Sequence, residues 1–73
     1  MGSRDLEHLD QAVRYVAEAE RRVADQRLRI AKLERGGHDT GHARDLLRLF
    51  EETYRLMVVH RDVVLRHLGK ISS

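Results

Sequence analysis

There is no cysteine in this chain, no proline and no tryptophan, and serine occurs only at Ser3, Ser72 and Ser73. Each absence removes a class of protein. Without cysteine there is no disulfide framework, no thiolate zinc site and no cysteine nucleophile, and the composition suits a reducing cytoplasm, the expected location. Without an internal serine there is no serine nucleophile beside a general base. Without proline nothing forces a helix to break. No apolar run reaches membrane-spanning length, and the opening "MGSRDLEHLD" has no apolar signal region. Nor does either charge sign dominate. Fourteen basic residues face twelve acidic ones for a net +2, which gives little non-specific pull toward nucleic acid or anionic lipid.

What is present is helix. Charged residues make up 36% of the 73 and aromatics 4%, the balance of a solvated amphipathic helical chain. From residue 4 to about 35, Leu9, Val16, Val23 and Ile30 recur every seven residues, with Ala12, Ala19, Gln26 and Leu33 between them. This three-and-four alternation is the seam of a coiled coil. Ser3 or Asp5 can cap its start. From about 40 to 69, Phe50, Met57 and Val64 recur in the same way. Leu46, Thr53, His60 and His67 flank them on one side, and Leu47, Tyr54, Arg61 and Leu68 on the other. Gly36-Gly37 is the stop between the two, residues 36–39 form the turn, and Asp39 or Thr40 caps the second helix. Residues 1–3 read as a cloning remnant and 71–73 as a tail, leaving one domain over 4–70. Five acid–arginine pairs spaced four apart are expected to support the helices: Asp10/Arg14, Glu18/Arg22, Asp25/Arg29, Glu51/Arg55 and Asp62/Arg66.

The predicted fold is therefore all-α, an antiparallel two-helix hairpin. Folding at the glycines places Ala12 across from Val64, Ala19 from Met57 and Gln26 from Phe50, so that small residues meet large ones. Val16 then approaches His60, and Leu9 and His8 approach His67. The second helix is apolar over half its circumference, wider than one neighbour covers. Two helices enclose no centre, and a chain this short needs further support. The expected resolution is a homodimer closing a four-helix bundle, with Leu49, Phe50, Tyr54, Leu56, Met57, Val63 and Val64 at the interface.

Other chemistry is thinly represented, and no cofactor is expected. His38 and His42, four apart with Asp39 between, are the metal candidates. The helix break separates them, however, and no third ligand is at hand. His60 and His67 lie on the inner edge of the second helix, as seam polar residues or as a pH-sensitive pair. "GGHDTG" lacks the lysine and preceding strand of a phosphate loop, although the helix start at Thr40–Ala43 offers general anion affinity. Arg21–Arg35 carries net +4 and residues 1–20 net −3, which balances the helix dipole. Arg21, Arg22, Arg29 and Arg35 would be the contacts of a nucleic-acid accessory, a reading disfavoured by the lack of interleaved aromatics.

"AERRVADQRLRIAKLERGGHDTGHARDLLRLFEET", residues 19–53, resembles a type of short hypothetical protein of high-GC bacteria. An arginine-rich first helix, a Gly-His-Asp-Thr turn and a following LL-x-x-F-E-E-T carry the likeness. The resemblance implies a bacterial hairpin with no assigned activity and no catalytic residues. "DLEHLDQAV" is also similar to the first helix of small helical chorismate mutases. The third helix and the ordered arginines and lysine of that family are missing, so no site residue transfers. The expected function is a non-enzymatic protein–protein interaction or scaffold role.

Overall fold

The computed structural model describes residues 2–72, with side chains from 4 to 70. Helix α1 spans Gly2–Arg35 and helix α2 spans Gly41–Ser72. The turn falls where the glycines predict it, while α2 continues three residues past the expected 69. Because α1 already begins at Gly2, Asp5 lies in its first turn instead of capping it, where a carboxylate still complements the helix dipole. Met1 and Ser73, in the expected remnant and tail, lie outside the described residues, as do the side chains of residues 2–3 and 71–72. The helices pack antiparallel into a rod of 56 × 15 × 13 Å, and no strand occurs among the described residues.

The reversal is built from two caps. Gly37 takes φ +73°, a left-handed conformation that costs a side-chain-bearing residue dearly. The His38 amide then donates to the Leu33 carbonyl and the Gly37 amide to that of Glu34, the paired bonds of a Schellman stop. The ring of His38 folds back so closely over Gly36 that a Cβ there would lie 2.8 Å from it. At the start of α2, the Thr40 carbonyl accepts from the Arg44 amide at 2.8 Å, and Asp39 Oδ1 accepts from the Gly41 amide at 3.0 Å. Thr40 is thus the N-cap residue, and Asp39 caps from one position earlier. Arg44 bonds to Thr40 Oγ1 and forms an ion pair with Glu34, tying the end of α1 to the start of α2.

Among the described residues every buried side chain comes from α1: Ala12, Val16, Ala19, Val23, Gln26 and Ile30. Their three-and-four spacing is the seam read from sequence. Across it, Leu47, Phe50, Tyr54, Met57, Arg61, Val64 and Leu68 of α2 are all half-buried. The asymmetry follows from size. Alanines at 12 and 19 let the axes approach, and the long side chains of α2 straddle α1 while keeping their outer edges wet. Gln26, the one buried polar residue among those described, donates from Nε2 to the Ala43 carbonyl at 2.9 Å. It thereby fixes register next to the turn.

Two expectations need correction. Of the five acid–arginine pairs four apart, Asp10–Arg14 closes. Glu51 instead reaches across to Arg27 at 3.2 Å, and Asp62 binds its neighbour Arg61. Exposed pairs of this kind are worth only about 0.2–0.5 kcal/mol, so any closer partner displaces them. His60 and His67 are exposed instead of lying in the inner seam. The half-buried polar residue of that seam is Arg61, because the helix sits rotated toward the Leu47–Tyr54–Leu68 side.

Candidate functional site

The rotation of α2 leaves a second row uncovered. Leu46, Leu49, Thr53, Leu56, His60, Val63 and His67 again alternate three and four apart, and all are exposed. Leu49 is 59% exposed, Leu56 60% and Val63 52%. These values exceed those of side chains trimmed by a neighbouring helix, and the spacing is what a further helix would read. The seven expected interface residues therefore divide. Phe50, Tyr54, Met57 and Val64 belong to the inner row against α1, and Leu49, Leu56 and Val63 to the outer one.

Six residues of this outer row, all but Leu56, line a long furrow. Tyr15, Glu18, Ala19 and Arg22 of α1 face Leu46, Leu49, Phe50, Thr53 and Met57 of α2 around a half-open groove of about 430 Å³. Toward the chain ends the groove continues past Tyr15, Met57 and His60 to His8, Val63 and His67. Toward the turn it continues past Arg22, Asp25, Arg29 and Leu46. One wall is apolar and the other polar. The opposite furrow differs. Glu20, Arg27, Glu51 and Arg55 supply four of its seven lining residues, and the Arg27–Glu51 bridge crosses it.

The metal candidates are not brought together into a site. His38 covers Gly36 ahead of the helix, and His42 is exposed in the first turn of α2. Among the described residues no three His, Asp or Glu side chains converge as a ligand set. The anion position at the start of α2 is occupied by Asp39 itself. Arg21, Arg22, Arg29 and Arg35 are exposed and make no ion pair among the described residues. They do not share one surface. Arg22 and Arg29 line the furrow, while Arg21 and Arg35 stand on a neighbouring flank, about 100° and 140° round the helix from Arg22.

The outer row was written in the sequence as Leu46, Leu49, Leu56 and Val63. Its separateness from the inner row depends on how α2 is rotated, which periodicity alone leaves undetermined. Fold and surface thus define a helical hairpin with an exposed apolar row on α2 beside a half-polar furrow, and among the described residues no helix is long and apolar enough to cross a membrane. No protein-family model, curated protein or solved structure matches the chain.

Proposed function

We propose that this is a small non-enzymatic interaction or scaffold protein that works as a homodimer, two hairpins closing a four-helix bundle through the outer face of α2. The observation that supports this reading is the exposed row Leu49–Leu56–Val63. Total area points the same way. A compact 8.5 kDa monomer exposes about 4,700 Å², whereas this chain exposes 5999 Å². That excess is the scale of surface a partner removes, since standard interfaces take roughly 800 Å² from each side. Light scattering on the full chain at tens of micromolar should give twice the monomer mass. Leu56→Glu should halve it while leaving helical circular dichroism in place, because Leu56 contributes little to the hairpin itself. A monomer at that concentration overturns the reading.

One observation sustains a second reading, nucleic-acid binding through Arg21–Arg35: the four arginines have no ionic partner within the hairpin. Titration of labelled duplex DNA and RNA at low salt decides it, since phosphate contacts are strongest there.

A further inference from the structure

The geometry points to how the second copy docks: antiparallel, with its turn at the opposite end, so that α2 lies on α2 of the second copy and α1 on α1, about a twofold axis perpendicular to the helices beside Leu56. This inference rests on the self-association reading and adds the partner's orientation to it.

Three observations carry it. The first is the symmetry of the outer row. Leu49 and Val63 stand seven residues either side of Leu56 and are about equally exposed. Reversing one copy about Leu56 places Leu49 on Val63 and Leu56 on itself, so apolar meets apolar at the three central levels, with Thr53 level with His60 and Leu46 with His67 further out.

The second is the charge order of α1 at the same height. Glu18 and Arg22 share their groove with Thr53 and Met57, so the midpoint of that pair is level with Leu56. Residues 1–20 carry net −3 and Arg21–Arg35 net +4, so the sign changes at this level. A reversed copy therefore sets Glu18 against Arg22 of the second copy, and Arg22 against its Glu18. The basic end of each α1 then lies along the acidic beginning of the other. Arg22, unpaired in one hairpin, acquires an acidic partner in two.

The third is the contrast with the other face-to-face arrangement. With both turns at one end, α2 of each copy would lie on α1 of the other. Leu49, Leu56 and Val63 would then be pressed onto Glu18, Arg22 and Asp25, which strands charges against hydrocarbon. That arrangement also stacks like on like. Residues 21–55 hold nine basic and six acidic side chains, and the remaining chain five and six. Two turn halves of net +3 would sit together, whereas reversal sets +3 beside −1. A face 56 Å long and 15 Å across is also about the size of a standard interface half, roughly 800 Å².

The native chain has no cysteine, so single cysteines report the arrangement directly. Leu56→Cys, Leu49→Cys, Val63→Cys and Glu18→Cys all replace exposed residues and leave the hairpin core intact, which circular dichroism checks. Under air oxidation, L56C should link to itself in most chains. L49C and V63C should each stay uncoupled alone, and an exchanged mixture of the two should give the mixed covalent dimer by mass spectrometry. A dimer that links L56C to E18C, or L49C to itself, overturns the orientation while self-association stands. A monomeric mass with no linkage overturns both.

Discussion

Gly37 is the residue on which the reversal depends. Its φ of +73° sits where a β-carbon costs roughly 1–2 kcal/mol, although nothing lies within 4 Å of where that carbon would be. The penalty is therefore backbone strain and not collision. Gly37→Ala should cost about 1 kcal/mol, read as a lower urea midpoint at fixed protein concentration with an unchanged slope. Gly36 differs, since a Cβ there meets the His38 ring. That the pair would end α1 was legible from the sequence. That Gly37 takes the left-handed position, and that Thr40 and Asp39 share the capping of α2, was not, because either assignment satisfies the same two-residue pattern. The histidines are a related case, already legible from the glycine stop. His38 and His42 have a ligand-like spacing, but that spacing has meaning only within one continuous helix, and the cap lies between them.

At the scale of the helix, α1 and α2 play unequal parts. The first contributes the buried side chains, two of them alanines, and the second the large half-buried ones that cover them. Ala12, at 0% exposure, marks the closest approach. Ala12→Leu should force the axes apart and cost about 1–3 kcal/mol as overpacking does, seen as a fall in thermal midpoint of several degrees. The seven-residue recurrence of α1 made this core readable residue by residue, down to Gln26. On α2 the same method found the apolar arc but not its division into an inner and an outer row. A helix apolar over half its circumference offers several nearly equivalent seams, and contact with α1 chooses among them. The missed salt bridges belong here too. Local spacing names candidates, but Glu51 found Arg27 on the other helix, a choice that exists only once the helices are side by side.

For the whole molecule, the hairpin topology puts the start of α1 beside the end of α2, where Asp5 and His8 meet His67 and Leu68. Firm ties hold the turn end: the Schellman stop, the Gln26–Ala43 bond and the Glu34–Arg44 pair. Tension applied to the two chain ends would therefore peel the helices apart one contact at a time and not shear them all at once. In an optical trap the single hairpin should open at low force from the ends inward, with a final, stiffer step as Gln26 and the turn give way. Moving the handles to residues 4 and 42 puts the load along α1 itself, because the chain between those points is that helix and the turn; the helix must then be drawn out along its own axis, and the opening force should rise. The same chain would then be a weak zipper from its ends and a stiffer rod along its first helix, which makes its mechanical character a property of where it is held.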